Sequence, residues 1–344
     1  MGQSKRTVRR ARFSLESVAP ARRFEVWRES IACIFDVERT GGRDDFDASL
    51  ETRAMGPLMM AHTWSRALEW RRSPMTVARD GLDHYMIQFY ARGTQACAWS
   101  GGEVELPDEG FLVYDLSREM EAVSTDMANI SLLLPRPLLA GLLRLPDDQH
   151  MRVVSGDRPL AALLRSHLEA IWRQPDELDE RQMKQLADST AQLVAACLDG
   201  EGAEPAPRRA AVDSARLGVI RRDIESRLGD PALGAADLCR RHGLSRAALS
   251  RLFRRMGGPS AYVRERRLAA AMRVLLDPHR ATTPVSAVGD MFGFSDALEF
   301  SRAFHQRYGL SPRAARHHGR PAAVDQTQPG LDRRYEDWLH SLAA

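Results

Sequence analysis

Two short segments carry side chains whose kind and spacing suit reading another molecule: Arg246, Ala247, Ser250, Arg251 and Arg254 in one, and Ala297, Leu298, Ser301 and Arg302 in the other. Steps of one, three and four put each set on one face of a helix. Leu249, Leu252 and Phe253 fall on the opposite face of the first, and Phe300 and Phe304 on that of the second. A guanidinium so placed can grip guanine O6 and N7 with two hydrogen bonds, or hold a backbone phosphate. Catalysis has no comparable candidates. A metal site in a β-domain would need a His-x-His pair with a nearby Glu and a later His, and the strand-like region offers His62 and His84 singly. Cys33, Cys97, Cys197 and Cys239 lie far apart with no Cys-x-x-Cys pair, so each reads as a small, reduced, buried hydrophobe. Gly-x-Ser-x-Gly and phosphate-loop motifs are absent. Neither enzyme activity nor a metal or cofactor is expected.

The elements that must position these faces are legible. Leu233, Ala236, Leu238 and Cys239 mark a helix that stops at Gly243, where a left-handed backbone is cheap only for glycine. Ser245 is placed to cap a second helix over 246–255. The scheme repeats: Pro284 opens a helix through Val285, Val288 and Met291 to Phe292, Gly293 turns the chain, and Asp296-Ala-Leu-Glu299 has the form of a capping box. Between the two lies a helix over 260–276, whose 17 residues span roughly 25 Å. Such a rod can hold two recognition helices about one DNA turn apart. Charge agrees. Residues 216–320 hold 20 Arg against nine Asp and Glu, an excess of 11, which leaves −8 for the rest of a chain whose net charge is +3. Lys5 and Lys184 are the only lysines, so the preference for Arg is chain-wide and the clustering is the signal.

Gly243-Leu-Ser245, Leu252-Phe-Arg254, Arg266-Arg267-Leu268, Gly293-Phe-Ser-Asp296, Phe300-Ser-Arg-Ala-Phe304 and Gly309-Leu-Ser-Pro312 together resemble the AraC/XylS family of bacterial transcription regulators, over Leu217 to Arg316. The N-terminal half is similar, more loosely, to the family's cupin-like effector domains. Arg23-Phe-Glu-Val-Trp27 and Asp115 look like the subgroup with an amphipathic entry helix. The resemblance implies recognition helices in successive major grooves of double-stranded DNA. Their base-facing residues would be Ala247, Ser250 and Arg251, then Ala297, Leu298, Ser301 and Arg302, with Arg266 a packing or phosphate residue. It further implies a regulator, more often an activator, that works with RNA polymerase, answers a small-molecule effector and forms a homodimer. Ala297 and Leu298 depart from the polar residues usual at their positions, so the second half-site would be read weakly.

The 344 residues, 44% apolar and 28% charged, suggest two or three ordinary globular domains. The expected fold class is α+β: a cupin-like β-barrel with flanking helices, then an all-α double helix-turn-helix. Its boundaries would be an effector and dimerisation domain over 1–198, a Gly/Pro/Glu-rich linker over 199–212, the DNA-binding domain over 213–320 and a tail over 321–344. Short alternating runs such as His84–Tyr90, Thr94–Trp99, Glu103–Leu106 and Gly110–Tyr114 supply the strands. Trp64, Arg79, His84, Tyr85, Trp99 and Asp115 are candidates for an effector pocket, Arg79 as the partner of a carboxylate ligand. Met183, Leu186, Thr190, Leu193 and Cys197 form a seam on a helix over 180–198, either a short coiled-coil dimer contact or a face packed on its own barrel. The alternative function keeps the DNA-binding half and gives the N-terminal half only dimerisation or a protein partner. No apolar run approaches the ~20 residues of a membrane span, and no signal peptide precedes the mixed sequence, so a cytoplasmic location is expected.

Overall fold

The computed structural model describes residues 6–41, 45–106, 109–143, 145–173, 177–199, 208–318 and 331–342. They divide into two compact units, Met1–Ser73 with Leu82–Glu204 and Asp325–Ala344, and Pro74–Gly81 with Pro205–Val324. Two segments therefore lie with the unit that sequence order would not give them. The second half of the expected linker is also helical from Arg208 on, while residues 200–207 lie outside the described residues. Among the described residues no helix is long and apolar enough to cross a membrane.

The first unit begins with β1 (Arg6–Thr7), β2 (Arg9–Ser14), α1 (Pro20–Ile31), β3 (Asp36–Arg39), β4 (Ala48–Met55), β5 (Leu58–Ser65) and β6 (Leu68–Arg72). After α2 (Pro74–Asp80), which belongs to the second unit, come β7 (His84–Arg92), β8 (Gln95–Trp99), β9 (Gly102–Glu105), β10 (Phe111–Asp115), β11 (Met120–Ser124) and β12 (Met127–Pro135). Then follow α3 (Arg136–Leu139), β13 (Arg152–Val154), α4 (Pro159–Arg173), β14 (Glu177–Leu178) and α5 (Glu180–Asp199). The strands form a seven-stranded sheet in the order β13-β10-β7-β12-β5-β4-β2, a five-stranded sheet β3-β6-β11-β8-β9 and the small pair β1-β14. The expected cupin-like β-domain with flanking helices is thus built of two main sheets, and among the described residues no strand pairs across from one sheet to the other.

Period-two alternation decides which face each side chain serves. On β7, Met86 and Tyr90 join the core between the sheets, with Leu112 and Tyr114 of β10 and Met59 and Ala61 of β5. Tyr85, Ile87 and Phe89 point the other way, into a second core under α4 and α5 with Leu58, Met60, Leu164, Leu168 and Val194. The seam on α5 is largely consumed there. Met183, Thr190 and Cys197 are buried, Thr190 Oγ1 meets His167 Nε2 at 2.9 Å, and Cys197 Sγ lies 3.2 Å from the Leu160 carbonyl; Leu186 and Leu193 are half-buried.

The second unit contains α6 (Arg208–Ser226), α7 (Ala235–His242), α8 (Arg246–Leu252), α9 (Pro259–Leu276), α10 (Val285–Met291), α11 (Ala297–Tyr308) and α12 (Pro312–His318). Two hydrophobic cores share α9. Tyr262, Val263 and Ala270 pack with Leu238, Leu249 and Phe253 in one. Leu268, Ala271, Met272 and Leu275 pack with Val288, Phe300 and Phe304 in the other, which also takes Ala78 of α2. Ala236 and Met291, expected in these cores, are exposed. The last helix, α13 (Arg334–Ser341), lies with the first unit. There Tyr335, Trp338 and Leu339 join the core between the sheets, and Leu331 bridges to Phe13.

Candidate nucleic-acid interface and ligand cavity

The first reading helix is built as its sequence indicates. Gly243 closes α7 with φ of 61°, the left-handed conformation. Ser245 Oγ then accepts the Ala248 amide at 3.1 Å and caps α8. Arg246, Ala247, Ser250, Arg251 and Arg254 are all exposed while Leu249 and Phe253 are buried. In the second unit of the pair, Asp296 Oδ1 accepts the amides of Leu298 and Glu299 at 2.8 and 2.7 Å. Glu299 does not close a reciprocal box onto Asp296; its carboxylate takes the Ser295 amide and hydroxyl at 3.0 and 2.6 Å, one residue upstream. Ala297, Leu298 and Arg302 are exposed and Ser301 is half-buried. Leu298, 58% exposed, is an apolar side chain presented to solvent at the start of a helix, where a thymine methyl is a fitting contact.

What fixes the two reading helices on one frame is a residue that the sequence showed only as part of a motif. Arg267 of α9 donates from Nε to the Leu228 carbonyl (3.1 Å), from Nη2 to Asp230 (2.7 Å) and from Nη1 to Gly293 (3.2 Å). One guanidinium thus ties the loop before α7 to the turn between α10 and α11. Gly293 sits at φ of 68°, a conformation strained for any side chain, and a Cβ there would also crowd that guanidinium at 2.9 Å. Arg266 pairs with Glu225 of α6 at 2.5 Å. Arg251 lies 3.6 Å from Asp213 of α6, a loose pair that a base or phosphate can displace. Arg246, Arg254 and Arg302 carry no ion pair among the described residues.

In the first unit the six pocket candidates do not converge. Tyr85 and Asp115, cross-strand partners, face away from the inter-sheet core and surround Arg136. Trp64 shares that outer face of β5 by alternation and lies near Arg66. His84 faces inward, where its Nε2 donates to the Leu339 carbonyl at 3.1 Å. Trp99 packs edge-on to His150. Arg79 belongs to α2 and to the other unit. None of the six lines the cavity of ≈ 60 Å³ that opens over the inner face of the seven-stranded sheet. Alternation along the correct strands would have found its wall: Met86 and Gln88 on β7, and Met127, Asn129 and Ser131 on β12. The Tyr335 and Leu339 side chains of α13 close part of it. The repeat Leu331, Tyr335, Trp338, Leu339, Leu342 was a readable helical stripe in a segment treated as a tail.

Asp115 is a structural residue. Its carboxylate pairs with Arg136 and accepts Ser117 Oγ at 2.6 Å; Arg136 also pairs with Asp83 and with Asp147 (3.4 Å) and donates to the Tyr85 hydroxyl at 2.6 Å. Burial alone would raise the Asp115 pKa, yet the guanidinium holds the carboxyl well below its ordinary range. The Tyr85 phenol is pushed up by burial. Nearby, His150 Nδ1 accepts the Asp115 amide and Nε2 donates to the Glu119 carbonyl, both at 3.2 Å. Only neutral imidazole fits that pair, and burial pushes its pKa down to about 4. Unfolded, the group titrates near 6.5, so the folded state binds fewer protons between the two values. Stability should therefore fall as pH drops from 6.5 toward 4, by about 3 kcal/mol in all. Thermal melts of the chain at pH 7 and 4.5 check this, and His150→Gln should flatten the slope.

A β-rich domain and two glycine-turned helix-turn-helix units on one shared helix define a DNA-binding transcription regulator. Residues 24–199 match the AraC-binding-like domain family and residues 238–318 a helix-turn-helix domain family. The chain belongs to the AraC-type transcriptional regulators. It is 25% identical over 291 residues to the transcriptional activator NphR of Rhodococcus sp, covering 83% of this chain and 85% of that one. It is 31% identical over 98 residues to the transcriptional activator RhrA of Rhizobium meliloti, covering 28% of this chain and 31% of that one. Among solved structures, the AraC-like transcriptional activator CuxR is similar in fold. The TM-score is 0.52 at 24% identity, over 76% of this chain and 95% of that one.

Proposed function

We propose that this chain is a cytoplasmic, effector-responsive activator that reads a specific DNA site through Arg251 and Arg302 and meets RNA polymerase there. The observation that carries the reading is the exposure of both guanidiniums on the outer faces of helices whose inner faces are locked to α9. Double-stranded DNA is the partner that the family entails. The relatives named as activators support the sign of regulation. The inter-sheet cavity supports a small-molecule effector over an N-terminal unit that only dimerises. A homodimer contact, if it uses α5, rests on the half-buried Leu186 and Leu193 and is checked by light scattering of Leu186→Asp with Leu193→Asp.

Selection of binding sites from random duplexes tests the base-reading role. Arg251→Ala should cost about 1–3 kcal/mol on the selected site and relax preference at one base pair. An unchanged selected motif would remove Arg251 as a reader. Arg266→Ala, which removes the pair with Glu225, should instead weaken all sequences about equally or damage folding.

A further inference from the structure

The buried face of α6 is a stripe. Leu217, Ile220 and Ile224, at steps of three and four, pack in the core that holds Leu249 and Phe253 of α8. Asp213 stands four residues before Leu217 on the same stripe, where the pattern asks for another apolar side chain. A carboxylate there breaks the pattern that the rest of the helix obeys, and such breaks gather at functional positions. The later turns of α6 are pinned to their own unit. Arg221 Nε donates to the Tyr262 hydroxyl at 2.9 Å, Arg241 donates twice to the Asp223 carboxylate at 3.2 Å, and Glu225 pairs with Arg266. Nearer the start of the helix Val212 is exposed, and Asp213 Oδ2 lies 3.6 Å from Nη2 of Arg251 on α8. The Asp213 and Arg251 side chains keep 26% and 44% exposure, so the pair is open to a competing anion.

We propose that Asp213 is an internal competitor for the DNA: it holds the Arg251 guanidinium in the free chain and so lowers affinity at the first half-site. The inference rests on the reading of DNA through Arg251 given above, and adds to it a residue that opposes binding. A two-bond grip on guanine takes two neighbouring nitrogens of the guanidinium, and Nη2 belongs to either choice of pair. A bidentate phosphate contact uses the same fork. To reach either partner, Arg251 must leave the carboxylate, and the free energy of the pair is lost from binding. An exposed ion pair is worth at most about fivefold in an equilibrium constant, so Asp213 tunes affinity rather than abolishing it. The apolar side chain that the stripe asks for would hold α6 on α8 without this competition.

The test measures dissociation constants of the full chain by fluorescence anisotropy, on a duplex carrying the site recovered by selection from random sequences. Asp213→Asn, nearly the same in shape, should tighten binding about three- to fivefold. Asp213→Glu keeps the charge and should bind no tighter than the unaltered chain. In an Arg251→Ala background, Asp213→Asn should change affinity by less than about 1.5-fold, because the side chain through which it acts is gone. A carboxylate that served only to hold α6 in place would not show that dependence. Unchanged or weaker binding by Asp213→Asn would overturn the proposal, and weaker binding would make Asp213 a support that aims Arg251. Tightening that persists undiminished with Arg251→Ala would overturn it too, since the carboxylate would then act by repelling phosphates alone. If Arg251→Ala by itself left affinity and the selected motif unchanged, the reading of DNA through Arg251 would fall, and this proposal with it. Every other outcome leaves that reading standing.

Discussion

Raising salt from 50 to 200 mM should weaken binding of the full chain to duplex DNA by about 10³-fold, with a log–log slope near −5 if six phosphates are neutralised. The expectation follows from the exposed arginines of the second unit. Arg246, Arg251, Arg254 and Arg302 lie on or beside the reading helices, and Arg240 and Arg313 are exposed on neighbouring elements. Each phosphate contact releases condensed counterions, so the slope counts contacts whatever the base sequence. Arg254→Ala should reduce the slope by about one and lower affinity for specific and non-specific duplexes together. Fluorescence anisotropy over a salt series measures both. A flat response would mean that these arginines do not face the nucleic acid, and the assignment of the interface would fail.

The largest effect on stability should come from Arg136→Met, expected to destabilise the first unit by about 3–5 kcal/mol. The guanidinium is buried and is shared by Asp83, Asp115 and Asp147. Asp115, 2% exposed, would be left as a buried anion with only Ser117 to answer it. The matched variant Asp115→Asn with Arg136→Met should recover a large part of the loss, because it removes the stranded charge with the cation. Urea unfolding of the single and double variants decides. If the single change costs less than about 1 kcal/mol, the cluster is solvated in solution and the carboxylates do not depend on the cation.

The DNA-binding unit was legible because its information is local. A capping serine, a glycine forced to positive φ and an apolar stripe each act within a few residues of themselves, and Gly243, Ser245, Gly293 and Asp296 behave in the structure much as their types require. The cavity was not legible, for a reason seen in His84 and Tyr85. Neighbours on a strand serve opposite faces, and which face looks into the molecule depends on pairing with strands far away in sequence. Tyr85 and Asp115 do meet, as cross-strand partners, but around Arg136 on the outer face. Arg79 failed differently. Its segment is a helix whose Ala78 packs against α9 residues almost 200 positions later, and nothing near it in the sequence marks that destination. Arg267 shows the same limit inside a recognised motif, since its three carbonyl partners come from two separate turns.

The return of α13 to the first unit bears on the order in which the molecule is made. Synthesis runs from the N-terminus and domains fold as units while they emerge. Residues 208–318 leave the ribosome before residues 331–342, yet Tyr335, Trp338 and Leu339 belong to the core laid down by the first strands. The unit begun first therefore gains this helix last, after the whole double helix-turn-helix. A nascent chain paused between these segments, or a product of a premature stop there, carries a finished DNA reader and a first unit whose cavity lacks the Tyr335 and Leu339 side chains.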